Sequence, residues 1–133
     1  MSLTKKRGRG IAAAWYGIAR TAAMDQAGAW AEIDDGGSAK ISTGVTEIGE
    51  GILTVLAQVA ADELGVKPEN VMIGENDTSR SPEAAHAGAT RQTYMIGNAV
   101  ALACRGARQK LFDVMAKEWK VDAKSIQDHD GEI

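Results

Sequence analysis

Cys104 is the only cysteine, so the chain can form no internal disulfide and hold no cysteine-rich metal centre or iron–sulfur cluster, and a reducing compartment suits it. Aromatic residues are equally sparse at 5%, against 15 glycines and frequent alanine. A core of that composition brings backbone close to backbone. Trp15, Trp30 and Trp119 read as packing residues, because a single-strand stacking platform would interleave them with basic side chains. Excess positive charge is missing too: 15 Lys and Arg face 18 Asp and Glu, for a net charge of −3. Phosphate-backbone affinity needs a cationic face, so general nucleic-acid binding is excluded. The basic run Lys5-Lys6-Arg7-Gly8-Arg9 reads as a solvated arm, with an anionic partner as its other reading. No apolar run approaches the roughly 20 residues of a membrane span, and no secretory signal pattern opens the chain. His86 and His129 lie far apart without ligand-spaced neighbours, which leaves zinc unindicated. Ser42, Ser79 and Ser81 lack a nucleophile elbow and Cys104 falls mid-helix, which does the same for hydrolase chemistry.

What is present suits one modest domain: 133 residues, 44% hydrophobic and 25% charged. The segments Gly10 to Ile18, Ala29 to Ile33 and Ala39 to Thr43 read as strands, the last two joined through Asp34-Asp35-Gly36-Gly37-Ser38, whose glycines supply positive φ for a hairpin. Ile52, Val55, Leu56, Val59, Ala60 and Leu64 then form one helical stripe, closed by Gly65 as a left-handed cap with Pro68 beyond. Val71-Met72-Ile73 is a short strand, and Asn76 to Gly88 a long loop of the kind that is uncommon unless functional or disordered. A second helix is expected from about Thr90 to Lys117. The fold class is therefore α+β, a mixed sheet with two main helices in the order β-β-β-α-β-α. Residues 1–9 are a basic arm or an artificial start, and residues 10–133 a single α+β domain. The closing Asp-Gly-Glu-Ile reads as entry into a strand, so a fragment of a larger domain is expected.

Two glycine-bearing corners carry the chemistry. The first, Gly44-Val45-Thr46-Glu47-Ile48-Gly49-Glu50-Gly51, has the glycine spacing of a phosphate-binding loop but continues in Glu50-Gly51 where that loop needs Lys and then Ser or Thr. A carboxylate there repels phosphate. The corner leaves a strand-to-helix turn with free N–H groups facing a ligand, or glycines that merely make the turn beside a dipole-compensating Glu. At the second, Ala87-Gly88-Ala89-Thr90-Arg91-Gln92, small residues bare the backbone, Thr90 can cap a helix, and Arg91 with Gln92 offers donors suited to a phosphate or a heterocyclic amide edge. The plainer reading makes Thr90 a simple cap and Arg91 a solvated residue.

Thr46 to Gly51, Gln58 to Gly65, Asp77-Thr78-Ser79-Arg80-Ser81-Pro82 and Gly88 to Gln92 running on to Gly97-Asn98-Ala99 together resemble the molybdenum-binding large subunit of the xanthine dehydrogenase and aldehyde oxidase family, the molybdenum hydroxylases. The resemblance runs from about Arg7 to Lys117. It implies part of a molybdopterin-binding domain, with molybdopterin cytosine dinucleotide and its molybdenum held partly by Gly49, Glu50, Gly51, Gly88, Ala89, Thr90, Arg91 and Gln92. The family pattern at the first corner is Gly-Gln-Gly, so the role of its Gln falls on Glu50, a carboxylate that accepts hydrogen bonds but donates none unless protonated. The family's second segment, Gly-Ser-Arg, falls on Gly88 to Gln92, with Thr90 keeping the hydroxyl. The implied reaction is oxidative hydroxylation of an aldehyde or N-heterocycle in the cytoplasm. Iron–sulfur clusters and FAD would sit on partner domains or chains, beside the remainder of the large subunit. The family's general base belongs to a segment this sequence does not contain, so the chain by itself is expected to be inactive. The rival reading is a stand-alone ligand-binding or scaffold module with the fold and no redox activity.

Overall fold

A computed structural model describes residues 5–17 and 25–128. Strands β1 (Trp30–Ile33) and β2 (Ala39–Ser42) form an antiparallel hairpin. Helix α1 (Ile52–Leu64) crosses over to β3 (Val71–Ile73), which pairs parallel to β2 to give the sheet order β1-β2-β3. A π-helical stretch, Gln92–Ile96, leads into the long helix α2 (Gly97–Trp119). The architecture is a small mixed sheet with two main helices, as the sequence patterns imply.

Local chemistry explains each element. In the hairpin, Asp34 Oδ1 accepts the N–H groups of Gly36 and Ser38, while Gly37 takes the positive φ of 79° that closes the turn. The α1 stripe buries Ile52, Leu56, Ala60 and Leu64 against Ala39 and Ile41 of β2 and against Ile96, Val100 and Cys104 of the second helical segment. Gly65 caps α1 in the left-handed region and returns its N–H to the Ala61 carbonyl. The expected second helix begins two residues later than Thr90 and ends at Trp119, with a widened first turn.

The first expected strand is corrected. Residues 10–17 carry no strand, and Ile11, Trp15 and Tyr16 stand almost wholly exposed. β-propensity without a partner ladder leaves a segment unpaired. Ile18, its last expected residue, lies outside the described residues, as do His129 and Asp130. The tryptophans are corrected as well. Trp30 points to the outer face of a strand whose alternate residues Ala31 and Ile33 pack inward, and Trp119 is half exposed at the end of α2. Asp128 is largely buried and bidentate on Arg108, which ties the tail to α2 beside Gly65. A second bidentate pair, Arg105 with Glu63, joins α2 to α1. Cys104 sits in the core with its thiol pushed up to about 11 by burial and by Glu63, so it is an inert packing residue.

Three backbone strips converge beside the sheet. Gly28 N–H donates to the Glu83 carbonyl and Gly44 N–H to the Pro82 carbonyl, while the fully buried Thr43 hydroxyl donates to the Gly28 carbonyl. A Cβ on Gly44 would lie 2.9 Å from the Pro82 carbonyl oxygen. Gly44→Ala should therefore destabilise the fold by about 1–3 kcal/mol, because backbone must yield. Gly106→Ala, in α2 with open space around it, should stabilise by about 0.5–1 kcal/mol. Denaturant midpoints of the two variants check both signs.

Candidate functional site

The two corners read from the sequence meet in space. Glu50 Oε1 accepts a hydrogen bond of 2.8 Å from Gln92 Nε2, joining the approach to α1 with the start of the second helical segment. The π-helical register there closes with the Gly97 N–H reaching the Gln92 carbonyl, and it turns Gln92 and Ile96 inward. Such widened turns recur at functional positions. Gln92 is only 7% exposed, and its Oε1 has no hydrogen-bond partner among the described residues. Leaving a buried acceptor unmet costs about 1–3 kcal/mol.

Of the two readings of the α1 N-terminus, free N–H groups facing a ligand or a dipole-compensating Glu, the structure shows the second. Glu47 Oε1 accepts the N–H groups of Gly49 at 2.7 Å and Gly51 at 3.0 Å, and Oε2 accepts that of Leu53. These bonds, that of Gly51 foremost, hold the Glu47 carboxyl down at about 2. The chain thus fills its own helix terminus with a carboxylate. Gly49 and Gly51 adopt φ of 99° and 85°, which lets the turn wrap around Glu47, and neither would bring a Cβ within 4 Å of a neighbour. Glu50 Oε2 accepts the Ile48 N–H, so both oxygens of that exposed side chain are oriented.

Arg91 takes a different part from the ligand donor expected of it. Its side chain is completely buried, pairs with Asp25, and donates to the carbonyls of Ala84, Gln26 and His86. Its donors are spent inside the protein, where it ties the loop to residues 25–26. Thr90 is no conventional cap either, since its φ of 62° departs from the extended geometry of a capping residue. Ala85 and Ala89 share this positive φ. Three non-glycine residues with positive φ within six positions mark a strained loop of the kind found at binding sites. Of the long loop, Asp77 and Ser79 bond to each other and Arg80 is exposed beside Asp77. Asn76 links the loop to the first corner by donating to the Val45 carbonyl. An open cleft of about 460 Å³ lies between Gly44, Asn76, Pro82 and Ala85.

Sequence reasoning offered a dipole-compensating Glu at the first corner without fixing it on Glu47, and it missed Asp25. An acidic residue just ahead of an apolar helical stripe was a usable signal for Glu47. Nothing local marks Asp25, which lies 66 residues from Arg91.

The comparisons with known proteins bear on this arrangement. The pattern of the molybdopterin cofactor-binding domain family matches residues 2–133. The chain belongs to that family. It is 29% identical over 117 residues to the 6-hydroxypseudooxynicotine dehydrogenase complex subunit gamma of Paenarthrobacter nicotinovorans, covering 84% of this chain and 15% of that one. To xanthine dehydrogenase 1 of Arabidopsis thaliana it is 32% identical over 114 residues, covering 85% of this chain and 8% of the relative. The crystal structure of quinoline 2-oxidoreductase from Pseudomonas putida 86 superposes with a TM-score of 0.72 at 26% identity, over 81% of this chain and 14% of that one. The chain thus spans a small part of the length of these relatives. Among its described residues, no helix is long and apolar enough to cross a membrane.

Two predictions arise. A carboxyl whose folded pKa lies below its unfolded value stabilises the fold above the unfolded value, and that contribution is lost as pH falls through the folded one. For Glu47 the loss runs from pH 4.5 down to about 2. The denaturant midpoint of Glu47→Gln should fall less steeply across that window than the wild type, which paired acid titrations would show. Arg91→Met removes a buried charge and strands the Ala84 and Gln26 carbonyls. It should cost about 3–5 kcal/mol of stability in chemical unfolding.

Proposed function

We propose that this chain supplies one wall of the molybdopterin site in a molybdenum hydroxylase of the xanthine dehydrogenase and aldehyde oxidase type, an oxidoreductase acting on an aldehyde or N-heterocycle. The observation that carries the reading is the Glu50–Gln92 hydrogen bond that joins both corners, with Glu50 exposed, in a chain of the cofactor-binding family. An exposed carboxylate beside strained backbone fits a ring system that presents N–H edges, as a pterin does. Bound there, the molybdenum cofactor would accept the electron pair released as the substrate carbon is oxidised.

The residues divide the work as follows. Glu50 and Gln92 meet the polar edge of the ring system. Gly49, Gly51 and Gly88 allow its approach to bare backbone. Ala89 and Thr90 offer main chain at the strained turn, and we assign the phosphates of a cytosine dinucleotide to that side. The α1 terminus does not take them, because the Glu47 carboxylate already holds its N–H groups. Arg91 positions the loop from behind. Glu50 is exposed, so this wall is open and its opposite side must come from elsewhere. The remainder of a large subunit would supply it, with iron–sulfur clusters and FAD on further domains or chains, in the cytoplasm. Residues 10–133 would then be one domain within that subunit, behind the basic arm 1–9.

Ligand sites of this kind bury most of the ligand, so the isolated chain should retain less than about one tenth of an equivalent of molybdenum and pterin. The assembled protein purified with this chain should carry both near stoichiometry, measured by metal emission and pterin fluorescence. An assembled protein devoid of both would instead favour a scaffold module.

A further inference from the structure

Away from both corners, we infer that the open edge of β1 and the groove beside it on α2 form a strand-accepting surface, whose occupant is residues 10–17 of the same chain, docked antiparallel to β1 as a fourth strand. The sheet order β1-β2-β3 leaves one side of β1 without a neighbour among the described residues. The Asp34 N–H donates to the Ser38 carbonyl, one step beyond the Ile33–Ala39 pair, so the hydrogen-bonded pairs of the hairpin fall at the even residues of β1. Ala31 and Ile33 therefore turn their N–H and C=O groups to the free edge. Proteins blunt such edges with Lys, Pro or a bulge, yet Trp30-Ala31-Glu32-Ile33 has neither Lys nor Pro and its register is unbroken. Beyond the edge, an open groove of about 610 Å³ runs between Ala31 and Ile33 of β1 and Leu102, Ala103, Gly106 and Val114 of α2. Leu102 and Val114 stand 66% and 64% exposed there, and a Cβ on Gly106 would meet nothing within 4 Å. A strand laid against β1 covers this apolar strip.

The chain carries a segment with the complementary properties. Residues 10–17 form no strand in the structure, so the segment and the edge are both left unpaired, with Ile11 and Trp15 almost wholly exposed. Strand alternation puts Ile11, Ala13 and Trp15 on one face, and the bare backbone at Gly106 leaves room for a ring. The residues between Gly17 and Trp30 can span up to about 40 Å, and strands adjacent in sequence commonly pair. Antiparallel docking also carries Lys5-Lys6-Arg7-Gly8-Arg9 past the exposed Asp34 and Asp35, so opposite charges meet at the end of the ladder. A second copy offers the same segment without the tether, which favours the chain's own strand by raising its local concentration.

The test is hydrogen exchange, read amide by amide, on the full 133-residue chain in wild-type, Ala13→Pro and Leu102→Asp forms. Ala13 and Leu102 are both exposed, so neither substitution enters the core. In the wild type, the amides of residues 10–17 that face β1 and those of Ala31 and Ile33 should exchange at least about tenfold more slowly than in unstructured chain. Pro interrupts the added ladder, and Asp sets a charge in the apolar groove. Each variant should release both sets of amides by about tenfold or more, while the amides of α1 stay protected. That joint release with an intact α1 separates docking from a general loss of stability. Residues 10–17 exchanging at unstructured rates in the wild type would overturn the inference. Protection that rises with chain concentration across about a hundredfold range would also overturn it, by assigning the edge to a second copy. Protection of Ala31 and Ile33 that neither variant disturbs would overturn it as well, since another segment would then cover the edge.

Discussion

The buried guanidinium of Arg91 is the constraint on which the functional end of this protein depends. It gathers Asp25 and the carbonyls of Gln26, Ala84 and His86 around a charge wholly removed from solvent. A guanidinium can stay buried only if its planar fork is met on several sides. The loop after Pro82 and the chain at residues 25–26 have to close around it. That closure sets the main chain between His86 and Gln92, where Ala89 and Thr90 are held at φ values that a free loop would relax.

A second arrangement of charge shapes the facing corner. Glu47 satisfies the start of α1 from within, so the positive end of the helix does not act on a ligand. This frees the neighbouring Glu50 to bridge across to Gln92. The two corners are thus linked by a side-chain hydrogen bond, which leaves Gln92 Oε1 buried without a hydrogen-bond partner among the described residues. A carboxylate as an internal helix plug and a carboxylate as a bridge do different work three residues apart. Both carry the same formal charge, and only their partners distinguish them.

The size of the chain relative to its relatives gives these details their setting. It spans 8% of one relative and 15% of another, and its candidate site is a wall with one open side. The exposed Glu50 belongs to that open side. The core behind it is aliphatic and small, from Ala39 and Ile41 of β2 to Val100 and Cys104 of α2, which keeps the corners fixed without aromatic bulk.

Much of this was legible in the sequence, and the reason is that it is local. The Asp34 to Ser38 turn, the α1 stripe with its Gly65 cap and the strand Val71–Ile73 each follow from neighbours within a few residues, so spacing alone specified them. Gly49-Glu50-Gly51 and Gly88 to Gln92 were legible as two corners from their glycines just ahead of expected helices. Their junction was not, because the Glu50–Gln92 bond joins residues 42 apart. The same limit explains Arg91, whose pattern suits a phosphate donor equally well until Asp25, 66 residues away, claims it. It also explains segment 10–17, where β-favouring residues lack a ladder to join. Propensity and spacing are properties of the chain and determined the elements. Which polar groups are already spent, and which one is left unmet, is a property of packing, and only the tertiary structure decided it.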